Sequence, residues 1–117
     1  MSVSSSGHSF VVKAWNEGHH HLSGAGYGFK ISVKDRDIFF DRSWGCINLV
    51  FPTGAKAIVN IDKGSFWNST CRELISAEIG RWLIAERLAP WPIGKPPPVR
   101  LTSLVAGVFN VDVVHTV

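Results

Sequence analysis

Three consecutive histidines, His19, His20 and His21, are the first residues in this chain whose type and spacing could do chemistry. On an extended arm His19 and His21 would point the same way, and a metal-dependent hydrolase would add a third ligand from Asp or His8. No paired Cys or His motif of metal-binding spacing lies nearby, so this is the third-ranked reading and no metal site or cofactor is expected. The plainer reading is an exposed polar loop whose imidazoles meet solvent or an anionic partner. Imidazoles facing phosphate would hold it more tightly in acid than at neutral pH.

Two further clusters invite a chemical reading. Gly24 to Gly28, GAGYG, suggests a phosphate cradle but lacks the Lys-Ser/Thr ending and long helix of a P-loop. A sharply bent strand with close backbone approach explains it better. Asp35, Asp37 and Asp41 interleave with Lys34, Arg36 and Arg42, as on a solvated helix whose charges offset one another. No Ser/His/Asp or Cys/His grouping can be assembled, so the reading is non-catalytic.

The run Phe66-Trp67-Asn68-Ser69-Thr70, bracketed by Lys63 and Arg72, carries more. Small donors and acceptors just ahead of a helix N-terminus suit an anion such as phosphate. Asn can read adenine edges, and Arg or Lys can read guanine or hold a phosphate. Taken alone, Asn68 to Thr70 read more readily as a plain helix cap, since caps are so common.

The elements that must position these residues follow from pattern. Thr70 with Glu73 reads as a capping box that starts a long helix at Cys71. Cys71, Leu74, Ile75, Ile79, Trp82 and Leu83 form its apolar stripe, with Trp82 in the core. Glu78 and Arg81 pair on its wet side, and Pro90 and Pro92 stop it. FWNS becomes a surface turn at the edge of the working face.

Upstream, Phe10 to Trp15 is a strand, residues 16–28 a loop or ragged hairpin arm, and Phe29 to Ile31 extended again. Ser32 with Asp35 opens a short helix. Trp44 to Phe51 and Ala55 to Ile61 form a hairpin about Pro52-Thr53-Gly54. After the stiff PWPIGKPPP connection, Val99 to Leu104 and Val108 to Val114 form two final strands around Ala106-Gly107. The fold class is α+β, a small open β-barrel of about six or seven strands with two inserted helices. Residues 1–9 read as a flexible tail and 10–117 as a single domain.

Composition narrows the partners. The 117 residues carry a net charge of +3, which permits nucleic acid without demanding it. No apolar run approaches the ~20 residues of a membrane span, and the first residues lack the features of a signal peptide. Cys46 and Cys71 lack metal spacing and read as reduced, buried hydrophobes of a cytoplasmic protein.

The helix VKDRDIFF, the hairpin INLVFPTGAKAIVNI, then SFWNS and EIGRWLIAERL come in an order that resembles the plant B-three transcription-factor domain. That family belongs to the DNA-binding pseudobarrel superfamily, with the effector domains of some restriction endonucleases. Phe66 to Thr70 matches the family's YWNSS-like run, and Trp82, Leu83 and Leu88 its following helix and leucine. The resemblance spans roughly Phe29 to Leu88; Gly94-Lys95 stands where the family has Gly-Asp, and GHHHLSGAGYG departs from its pattern.

The resemblance implies a seven-stranded open barrel that grips duplex DNA with two arms. The N-arm would be Lys13 through Lys30, with contacts from Lys13, Asn16, His19, His20, His21 and Lys30. The C-arm would be Asp62 through Arg72, with Lys63, Trp67, Asn68, Ser69, Thr70 and Arg72. The alternative is a protein- or ligand-binding barrel without nucleic acid, its exposed aromatics Tyr27, Trp67 and Trp91 lining a pocket or partner patch.

Overall fold

The computed structural model describes residues 7–68 and 72–114. Alternation of apolar and polar residues sets most strands. In β1, Ser9–Asn16, the residues Phe10, Val12 and Ala14 are buried while Val11 and Lys13 face out. β3, Cys46–Val50, buries Ile47 and Leu49, and β4, Lys56–Asn60, buries Ala57 and Val59. β6, Pro98–Val105, and β7, Val108–Val113, repeat the pattern with Val99, Leu101, Phe109 and Val111. β2, Tyr27–Lys30, and β5, Glu73–Ile75, complete the set.

These strands form one seven-stranded sheet in the order β4-β3-β7-β6-β1-β2-β5. Every pairing is antiparallel except β3 with β7. The edge strands β4 and β5 come back into contact, so the sheet curls into a nearly closed barrel. The fold is α+β, as expected from the pattern. The first strand begins earlier than the expected tail allows: Ser9 stands opposite Thr102, and the backbones of Gly7 and His8 bond to Ser103.

The interior is aromatic. Phe10 stacks on Phe39 at 4.2 Å and meets Phe109 edge-on at 5.9 Å, while Phe40 stacks on Phe109 at 5.0 Å. Phe39 and Phe40 come from the end of α1, Val33–Phe39, whose cap Ser32 accepts from the Asp35 amide as its spacing implies. Trp82 is 5% exposed, as a core residue should be, and contacts Phe29 and Phe51.

The long helix expected from Cys71 is shorter. Its first part is instead β5, where Glu73 stands opposite Lys30 and Leu74 opposite Phe29. The helix proper is α3, Ala77–Ala85, capped by Ser76, whose hydroxyl accepts from the Glu78 amide. Thr70 and Cys71 lie outside the described residues, but Glu73 in a strand cannot complete the proposed capping box. Three- and four-residue spacing of Leu and Ile fits either element over so short a run, and an open ladder edge on β2 decides for strand. Ile79 and Leu83 keep the core positions expected of them, and each buried side chain contributes about 1.5–3 kcal/mol.

α3 ends with Arg87 at φ 60°, its N–H bonded to Ile84 and that of Leu88 to Leu83. This is a Schellman closure with arginine where glycine is usual. A third helix, the single turn α2, Gly64–Trp67, replaces the expected FWNS surface turn. Phe66 is fully buried there. Cys46 is exposed, against the expectation of a buried thiol, because it occupies an outward position of β3; Cys71 lies outside the described residues.

Candidate nucleic-acid interface

On the N-arm side, β1 and β2 pair with Lys13 opposite Lys30 and Trp15 opposite Gly28. Directly opposed residues project from one face, and here it is the outer face, because Val12, Ala14 and Phe29 fill the interior. Two lysines opposed in this way repel each other. Among the described residues neither forms an ion pair. Glu73 lies opposite Lys30 on β5 and is only 6% exposed.

The loop between the strands is organised by Asn16. Its Oδ1 accepts from the Gly18 amide at 2.8 Å and its Nδ2 donates to the His19 carbonyl at 2.6 Å. The amide expected to read a base edge is therefore holding the loop. His20 Nδ1 bonds the Tyr27 hydroxyl at 2.6 Å, and its ring meets Trp91 edge-on at 4.8 Å. His21 pairs with Glu17 at 3.5 Å, and the rings of His19 and His21 lie 5.9 Å apart. No group of three or more His, Cys, Asp or Glu able to hold a metal ion occurs among the described residues.

The far side of this loop is pressed onto α3. Gly24 has φ +87°, and a Cβ there would strike the carbonyl of Ala77 and the backbone nitrogen of Arg81. A Cβ on Gly80 would in turn strike the backbone of Gly24. The glycine cluster thus serves close backbone approach, as the motif suggested. Arg81, which pairs with Glu78 on the wet side of the helix, also donates to the Ser23 carbonyl at 3.2 Å.

The C-arm side is constructed differently. Arg36, expected on a solvated helix face, is 7% exposed. Its Nη1 donates to the carbonyls of Phe66, Trp67 and Asn68 at 3.1, 2.8 and 3.0 Å, and its Nε and Nη2 donate to Asp37. A one-turn helix leaves its last carbonyls without partners, and this guanidinium supplies them. Arg72 is also engaged: its Nε donates to the Ile31 carbonyl at 2.9 Å, and its backbone extends the β2–β5 ladder.

Trp67 is half-buried, and its Nε1 donates to the Ile61 carbonyl at 2.9 Å. The guanidinium carbons of Arg36 and Arg42 lie 5.6 and 5.8 Å from its ring. Arg42 follows Asp41, whose carboxyl is held below its usual range by the amide and hydroxyl of Ser43. Lys63 is partly exposed and caps α2 without a side-chain bond, and Asn68 is exposed. Ser69 and Thr70 lie outside the described residues.

Because β5 runs antiparallel to β2, the two arms leave this ladder at opposite ends, with Lys13 and Lys30 on the face between them. An open groove of about 390 Å³ runs along that face, with Trp15, Trp91, Ile93 and Pro96 among its lining residues. Of these, the sequence points to Trp91 alone. The register opposing Trp15 to Gly28 exposes the first, and the return of the proline-rich connection to β1 through Ala14 and Pro97 brings the rest. Tyr27, expected as an exposed aromatic, is 1% exposed, and burial pushes its phenol upward from the usual range.

No protein-family model matches the chain, and comparison with curated proteins and with solved structures returns no match.

Proposed function

We propose that this barrel is a non-catalytic, cytoplasmic module that binds duplex DNA, held mainly through phosphates on its N-arm face. The observation that carries the reading is the Lys13–Lys30 pair, two opposed cations on the outer face that form no ion pair among the described residues. A phosphate between them would replace a repulsion by two attractions. The seven-stranded, nearly closed barrel supports the reading, as a fold of the kind expected from the resemblance to the B-three domain, and the net charge of +3 has the right sign. With Asn16, Trp67 and Arg72 engaged within the protein, the reading favours backbone contacts over base readout on direct edges.

The test is fluorescence anisotropy with labelled random duplex DNA at two salt concentrations, for the protein and for the double variant Lys13→Gln/Lys30→Gln. Binding in about the micromolar range is expected, with the slope of log K against log salt reduced by about two in the variant. Equal slopes, or no binding at low salt, would remove the proposal. No helix among the described residues is long and apolar enough to cross a membrane.

A further inference from the structure

We infer that the groove beside the lysine pair takes a single unstacked nucleotide, its base against Trp91 and Trp15 and its phosphate on Lys13 and Lys30. This rests on the DNA-binding reading and specifies what the N-arm face recognises. Duplex backbone alone would use the lysines and leave the aromatic lining idle. A flat ring carrying an anion uses both.

Several features fit that occupant. The groove, about 390 Å³, lies at the lower end of the roughly 300–1,000 Å³ typical of small-ligand sites. Lys13, Lys30, Trp15, His20 and Trp91 are among its lining residues, and no Asp or Glu is. Trp91 is held by ring contacts with His20 at 4.8 Å and Tyr27 at 5.8 Å, so its indole is positioned before any ligand arrives. Such rigid aromatic platforms hold bases of any sequence by stacking.

His20 adds a polar group at the same place. Its Nδ1 is committed to Tyr27, while its Nε2 has no partner among the described residues and is available to a base edge. A base in a duplex cannot enter such a groove without leaving the stack, and extrusion is easiest at a mismatch or in a single strand. Recognition would therefore favour disturbed DNA over perfectly paired DNA.

The experiment has two arms on the full chain. Intrinsic tryptophan fluorescence is titrated with deoxyadenosine monophosphate, with deoxyadenosine and with inorganic phosphate. Anisotropy then compares a perfect duplex with the same duplex carrying one mismatch, for the protein and for Trp91→Ala and Lys13→Gln/Lys30→Gln. Saturable quenching by the monophosphate is expected, at least tenfold tighter than by nucleoside or phosphate alone, and lost in both variants. The mismatched duplex should bind about tenfold tighter, and Trp91→Ala should erase that preference while retaining the salt slope.

The two lysine replacements lie at exposed strand positions, so they test the site even if Trp91→Ala fails to fold. Duplex binding without mismatch preference and without monophosphate binding would overturn the inference and leave the DNA reading standing. Monophosphate binding without duplex binding would do the reverse.

Discussion

The two arms are built from similar material, a polar loop with flanking cations, yet they use it in opposite ways. On the C-arm side the cations serve the protein. Arg36 holds three consecutive carbonyls at the end of α2, and Arg72 holds the Ile31 carbonyl. On the N-arm side the loop satisfies itself through Asn16 and Glu17, and Lys13 and Lys30 are left facing outward. A one-turn helix has no ladder to receive its terminal carbonyls, so a long buried donor is needed there; a hairpin arm closes on its own backbone. Similar composition therefore marks structure in one arm and an available surface in the other.

The largest effect should come from breaking the C-arm. Arg36→Met keeps the volume and removes every donor, and should destabilise the protein by about 3 kcal/mol or more in urea unfolding. Arg36→Lys should recover only a minor part, since an ammonium cannot match the planar fork that spans three carbonyls and Asp37. A loss below about 1 kcal/mol would mean that the two arms are less different than their hydrogen bonds imply.

Next in size is the clamp of the N-arm on α3. Gly80→Ala should cost about 1–3 kcal/mol, because the added methyl meets the backbone of Gly24, which cannot rotate away. Amide exchange should accelerate at Glu17, whose N–H closes the loop onto the Gly26 carbonyl. Unaltered exchange there would show that loop and helix are independent.

Arg87→Gly provides a reference remote in role from both arms. Relief of the positive φ at the end of α3 should raise stability by about 0.5–1 kcal/mol, read as a shift of the urea midpoint. Lys13→Gln/Lys30→Gln should also raise stability, by about 0.2–1 kcal/mol, because an opposed like-charge pair is removed. Its loss of DNA affinity with a gain in stability would separate a binding surface from a structural one. A fall in both would place the lysines among the structural groups.

The smallest effect concerns pH. The Asp41 carboxyl titrates below its ordinary 3.8 when folded, because the amide and then the hydroxyl of Ser43 bond to the charged form. A depressed folded value means that its contribution is present above the unfolded value and is lost as pH falls through the folded one. Stability below about pH 4 should therefore decline less in Asp41→Asn than in the native chain. An Asp41 carbon titration by NMR with a midpoint at or above 3.8 would contradict the hydrogen bonds to Ser43.

Much of the barrel could be read in advance from residue pattern. Alternation in Phe10 to Trp15 and in the two hairpin strands, the turn at Pro52-Thr53-Gly54, and Ser32 three residues before Asp35 are local signals with local causes. The candidate site was less legible. His19, His20 and His21 drew attention by type, but only His20 lines the groove, and what places it there is a bond to Tyr27 and a ring contact with Trp91.

By itself, the sequence determined most of the strand-forming segments, the core place of Trp82 and the overall positive sign of the chain, since side-chain alternation and charge are properties of neighbours along the backbone. Tertiary structure alone decided that Glu73 to Ile75 would be a strand, because the edge of β2 is there to pair with it. It alone decided which cations would be occupied. Arg36 meets its carbonyls 30 to 32 residues away, and Lys13 meets Lys30 through a register that no local pattern encodes. Hydrogen-bond supply and charge opposition are settled across the sheet, where residues distant in the chain become neighbours.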